Sequence, residues 1–166
     1  YTAGNASFRA FRYDGSQMHD IGTLGGSNSY ATAINDAGHI VGASDVPYIT
    51  PTSNADWDAT GAKAFFYNGS TMSPVGTLGG PYSTARAVNN SDQVAGYSDA
   101  IVGRYVMRHG FLKTGTQIVD LGTFGPGDNN VFAMNNAGHV VGRAFNGVSS
   151  TDYFFAYKYS NGSLQN

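Results

Sequence analysis

The stretch Gly22-Thr23-Leu24-Gly25-Gly26 recurs as Gly76-Thr77-Leu78-Gly79-Gly80 and, altered, as Gly122-Thr123-Phe124-Gly125-Pro126. The intervals are 54 and 46 residues, and the text around each copy recurs with it. A period of this length marks a chain built from one supersecondary unit used several times, so the unit has to be read first.

Alignment on this pentapeptide brings four further segments into register. The first reads Ser29–Asn35 (SYATAIN), Ser83–Asn89 (STARAVN) and Asn130–Asn135 (NVFAMN). The second reads His39–Ser44, Gln93–Ser98 and His139–Ala144. The third occurs four times, as Ala10–Tyr13, Ala64–Tyr67, Gly110–Lys113 and Ala156–Tyr159; the fourth reads Met18–Gly22, Met72–Gly76 and Ile118–Gly122. Each is short, rich in apolar, aromatic or β-branched residues, and bounded by turn formers, which is the pattern of a strand.

The turn chemistry agrees. Asn35-Asp36-Ala37-Gly38 and Asn135-Asn136-Ala137-Gly138 join first to second segments, with Gly where a left-handed residue is needed. The middle copy has Asp92 there, a residue that tolerates that conformation at some cost. Asp14-Gly15, Asn68-Gly69, Thr114-Gly115 and Asn161-Gly162 join third to fourth segments as hairpins.

Composition supports an all-β chain. All eleven acids are Asp, Leu occurs five times and Lys three, so strong helix formers are scarce; Gly reaches 23 and Tyr plus Phe 21, which favours strands and turns. The net charge of −2 gives no basic field for nucleic acid or an anionic membrane. Without cysteine there is no disulfide, thiolate site or cysteine nucleophile, a composition that fits an exported bacterial protein. No apolar run approaches the roughly 20 residues of a membrane-spanning helix.

A four-stranded antiparallel meander of this length predicts one blade of a β-propeller per repeat. The pentapeptide becomes the crossover between blades, with Leu24, Leu78 and Phe124 filling the gaps between them. Ala33, Ala87 and Ala133 alternate with Ile34, Val88 and Met134, so both faces of the inner strand are predicted to be buried. The chain reads as a single repeat domain over residues 1–166. It comprises a partial blade at 1–24, blades at 25–76 and 77–122, and a last blade at 123–166 whose fourth strand is truncated. That is about three and a half blades, which reads either as a piece of a longer chain or as copies that associate, two of which would make seven. Unclosed, it leaves apolar faces and strand edges open to association.

The combination of Ala10-Phe11, Gly22–Gly26, Ser29–Asn35 and Gly38–Gly42 with their counterparts resembles the HAF-repeat family of bacterial extracellular proteins. The positions of the family's His-Ala-Phe tripeptide read Arg9-Ala10-Phe11, Lys63-Ala64-Phe65, His109-Gly110-Phe111 and Phe155-Ala156-Tyr157. The resemblance covers nearly the whole chain. It implies a secreted or surface propeller-like array and carries over no catalytic residue.

The expected function is therefore non-catalytic: structural assembly or adhesion, with partners that are further copies or another surface protein or glycan. The connections between second and third strands differ in length: Asp45–Gly61, Asp99–Met107 and Phe145–Asp152. Variable loops on a repeated scaffold are where binding concentrates. The longest holds Trp57 between Asp56 and Asp58, with Tyr48 nearby; Tyr105 lies in the second. An aromatic ring beside carboxylates can stack on a sugar and accept its hydroxyls, so a lectin-like propeller is the alternative, with Trp57, Tyr48, Asp56, Asp58 and Tyr105 as its candidate ligand-binding residues. A third reading is an enzyme acting on extracellular polymers, but no paired acids recur and no GxSxG elbow is present. His39 and His139 are equivalent but lack a third ligand, and read as turn histidines rather than a metal site. Asp20 and Asp120 are equivalent, but Pro74 breaks the series. No cofactor and no metal is expected.

Overall fold

The computed structural model describes residues 7–47, 61–147 and 154–166. These contain fourteen β-strands and no helix. Strands β1 (Phe11–Tyr13) and β2 (Met18–Asp20) form a two-stranded sheet. Three four-stranded antiparallel meanders follow. The first is β3 (Ser29–Ile34), β4 (Ile40–Asp45), β5 (Ala62–Tyr67) and β6 (Met72–Pro74). The second is β7 (Gly79–Val88), β8 (Val94–Val102), β9 (Tyr105–Thr114) and β10 (Gln117–Asp120). The third is β11 (Asn129–Met134), β12 (Val140–Phe145), β13 (Phe154–Ser160) and β14 (Ser163–Gln165). The final strand, β14, is three residues long, as are β2 and β6.

The sheets stack face on face, and the core lies between them. Ala10 and Ile21 of the first sheet meet Ile40 and Phe65 of the next. Val41, Ala64 and Val75 meet Ala85, Val88, Val94 and Phe111. Ala95 and Leu121 meet Val131 and Val140. Leu24 and Leu78 pack against the first two of these clusters, and Phe124 stacks near Phe155 with centroids 6.2 Å apart. Leu24 and Leu78 thus lie between sheets as predicted, whereas Phe124 contacts a ring of the last sheet and is not part of the third cluster.

Hydrogen bonds clasp one sheet to the next through residues the repeat alignment left without a role. Ser29 Oγ donates to Gly22 O and accepts from Ala10 N; Ser83 Oγ donates to Gly76 O and accepts from Ala64 N. Asn129, at the equivalent place in the third sheet, donates to Gly122 O. It belongs to β11, one residue before the start predicted for that strand. Gly110 stands where the other repeats have Ala because Asn129 is larger than Ser: a Cβ on Gly110 would lie 3.1 Å from Asn129 Oδ1. Loss of the Ser83 hydroxyl strands a buried amide and a carbonyl, so Ser83→Ala is expected to cost about 2 kcal/mol in urea unfolding. A loss under about 0.5 kcal/mol would show that the clasp is dispensable.

Two predictions from sequence need correction. Both faces of the inner strand are buried only in the middle sheet, where Ala87 and Val88 are covered; Ile34 and Ala133 are exposed. Among the described residues the last sheet has a neighbour on one side only, and the two-stranded sheet before the first meander leaves Ile34 uncovered. The connection predicted as a loop over Asp99–Met107 is instead the end of a long hairpin. Val102 pairs with Tyr105 across Gly103-Arg104, with Gly103 at φ 64°. The β-branched run Ile101-Val102 and Val106 carries the ladder outward, and Gly supplies the left-handed residue that a two-residue turn needs.

Candidate functional site

The candidate site is the front end of the stack, where β1 and β3 meet. In the complete sheets the third strand bonds to the second on one side and the fourth on the other: β5 lies between β4 and β6. Among the described residues strand β1 bonds only to β2, with no strand along its other edge. A free edge presents unpaired N–H and C=O groups.

The side chains record the same vacancy. Phe11, Phe65 and Phe111 occupy one repeat position; Phe65 and Phe111 are fully buried, whereas Phe11 is 50% exposed. Each buried ring packs beside the glycine of its own second strand. A Cβ on Gly42 would meet Phe65 Cε1 at 2.8 Å, and one on Gly96 would meet Phe111 Cε1 at 3.0 Å. Ile34 is 59% exposed, whereas its equivalent Val88 is 9% exposed beneath Val41 and its neighbours in the preceding sheet. Between the β1 edge and the β3 face lies a cavity of about 350 Å³, lined by Phe11, Arg12, Tyr13, Thr32, Ala33 and Ile34 among others.

The opposite end is finished differently. Positions filled by buried Ala43 and half-buried Phe66 in the first meander carry Arg143 and Lys158 in the last. Arg143 lies over Phe154 at 4.6 Å and over Phe132 at 5.9 Å, and both rings remain more than half exposed, 61% and 52%.

Equivalent hairpin turns sit side by side and are wired together at the repeat interval. Asn35 Nδ2 donates to Asn89 O at 3.0 Å and to Asp92 Oδ1 at 2.9 Å; Asn89 Nδ2 donates to Asn135 O at 3.3 Å. Thr32 Oγ1 donates to Ala85 O at 2.8 Å. His39 Nδ1 lies 2.7 Å from Asp92 Oδ1 and its ring meets Phe66 edge-on. His39 thus joins two sheets, a role that the sequence reading of a turn histidine did not include. Asp92 takes φ 57° at the position predicted to be left-handed.

A second cavity, of about 490 Å³, lies at the crossover end and is lined by Arg9, Asp45, Ser7 and Ser27 among others. Asn28 Nδ2 donates to Asp45 Oδ2 there at 2.8 Å, so that carboxylate already serves to hold the crossover. Of the candidate ligand-binding residues, Tyr48, Asp56, Trp57 and Asp58 lie outside the described residues. Tyr105 is exposed at the end of the long hairpin with Ile101, Val102 and Val106.

Two further His/Asp pairs have local explanations. His19 Nε2 contacts Asp14 Oδ2 at 2.5 Å, and His109 Nδ1 contacts Asp120 Oδ2 at 2.8 Å within one sheet. Asp14 caps its own turn through the amides of Ser16 and Gln17, and these bonds with His19 hold its carboxyl well below the usual range. Burial pushes Asp99 the other way. Among the described residues no three His or Asp side chains cluster as a metal site would require.

No protein-family model, curated protein or solved structure matches this chain.

Proposed function

We propose that this chain is a non-catalytic, propeller-type repeat module that works by associating with protein through its uncovered front end, its own copies included. The observation that carries the reading is Ile34: 59% exposed at a position that is 9% exposed one repeat later. An apolar face beside a strand edge that has no partner among the described residues favours association. Each meander has the strand number and order of a propeller blade, with the pentapeptide as the crossover, which supports that architecture. The resemblance to HAF repeats and the absence of cysteine support an exported location.

Light scattering on a sizing column over a dilution series tests the reading. The expected mass exceeds the 17.4 kDa of one chain at high concentration and falls on dilution. Ile34→Asp, an exposed substitution, is expected to return the chain to monomer with its melting temperature unchanged. A mass of one chain at every concentration overturns the proposal.

A further inference from the structure

We propose that a cleft between the first and second meanders binds a sugar that carries a carboxylate, a hexuronate. The cleft lies between two complete four-stranded sheets, away from the front end, and is independent of the association reading above.

The cleft holds about 260 Å³ and is lined by Phe66, Ser73, Ser91, Asp92, Val94 and Lys113 among others. Its floor is apolar: Val94 is buried with Val75 in one cluster, and Phe66 packs against that cluster. Its rim is polar, with Ser73, Ser91 and Asp92 exposed. An apolar hollow with a few converging polar groups is the form that small-molecule sites take.

Comparison of the repeats shows that this rim is a departure from the common pattern. Lys113 stands where the other copies have Tyr13, Tyr67 and Tyr159. Tyr67 and Tyr159 fill the neighbouring interfaces, one against the cluster of Ile40 and Phe65, the other against that of Val131 and Val140. Ser91 and Asp92 stand where the other turns have Ala37-Gly38 and Ala137-Gly138. Three polar replacements therefore converge on one interface. Asp92 holds φ 57°, a conformation that glycine adopts freely, so the carboxylate is kept at a cost in backbone energy.

The charges define the ligand. Lys113 Nζ donates to Val75 O at 2.7 Å, and among the described residues no carboxylate is paired with it. A half-buried ammonium with one neutral partner has donors to spare and favours an anion. Asp92 Oδ1 accepts from Asn35 Nδ2 and lies 2.7 Å from His39 Nδ1, while Oδ2 has no partner among the described residues. A bare anion would be repelled by that carboxylate. A ligand suits both groups when it offers a carboxylate to Lys113 and hydroxyls to Asp92, Ser73 and Ser91. A hexuronate has this distribution, and the apolar face of its ring matches Phe66.

The test is an amide-shift titration of the full, isotope-labelled chain with galacturonate, glucuronate, trigalacturonate, galactose and acetate. Saturable shifts of the Ser91, Asp92 and Val94 amides are expected with at least one hexuronate. Galactose lacks the carboxylate and acetate lacks the ring, so each should bind at least about tenfold more weakly. Lys113→Met keeps the apolar stem and should lower hexuronate affinity to that of galactose. Lys113→Tyr installs the residue of the other three copies and should close the cleft, abolishing the shifts with the fold retained. Tighter binding of trigalacturonate than of galacturonate assigns the ligand to a polymer, and equal affinity assigns it to a free sugar acid. Acetate binding as tightly as the hexuronates, or unchanged binding in Lys113→Met, overturns the inference. So does the lack of a saturable shift with either hexuronate and with the trimer.

Discussion

Gly96→Ala is expected to destabilise the chain by at least about 3 kcal/mol, read as a lower urea midpoint at unchanged slope. Each first strand carries a bulge at the same place: between Ala31 and Ala33, between Ala85 and Ala87, and between Val131 and Ala133. The extra residue pushes the backbone of the first strand towards the second. A Cβ on Gly96 would lie 2.1 Å from Thr84 O and 2.8 Å from Ala85 Cα; the same addition at Gly42 or Gly142 would meet Tyr30 O at 1.9 Å or Asn130 O at 2.1 Å. Backbone cannot move aside as a side-chain tip can, so a single methyl forces the bulge open. Gly69→Ala makes the contrast. That residue has φ 92° and open space around its Cβ, so only the backbone preference is lost, about 1 kcal/mol. Equal losses at the two positions would show that close approach at the bulge is not what requires Gly96.

The second large effect separates two residues that the repeat makes equivalent. Phe111→Ala should cost about 4 kcal/mol, because the ring is fully buried among Val41, Ala64, Val88 and Val94 and leaves a cavity. Phe11→Ala should cost under about 1 kcal/mol, since half of that ring already faces solvent. The pair is best compared under dilute conditions, where the chain is monomeric. Equal losses there would mean that Phe11 is covered within a single chain, and the open front end would be lost from the account. If the front end is filled by association, the Phe11→Ala loss should grow with protein concentration while the Phe111→Ala loss grows only by the stability that binding adds to both.

The repeat unit, its four strands and its turns were legible in the chain because they depend on local chemistry. Asn35, Asp92 and Gly138 mark turns through backbone preferences that hold wherever the turn sits, and the alternation Ala33-Ile34 marks a strand however it is packed. The pairing of Ser29 and Ser83 with preceding repeats left a trace, since both stand seven residues after the first glycine of the pentapeptide, as does Asn129. The covariation of Asn129 with Gly110 was present as well, but it gains meaning only when the two are known to touch.

Tertiary structure decided the rest. Whether a strand face is buried depends on what stacks against it. The same position is therefore core in Val88 and surface in Ile34, although the two residues are chemically alike. The requirement for Gly42, Gly96 and Gly142 comes from bulges in the facing strands, and nothing local to those glycines announces it. His39 reads as a turn residue by itself and becomes a tie between sheets because the stacking brings Asp92 to it. Sequence by itself determined the unit and its count, since hydrogen-bond preference and side-chain size act within a few residues. Which faces are buried, with Val88 covered and Ile34 and Phe132 exposed, was decided by packing, since exposure belongs to a residue's neighbours and not to the residue.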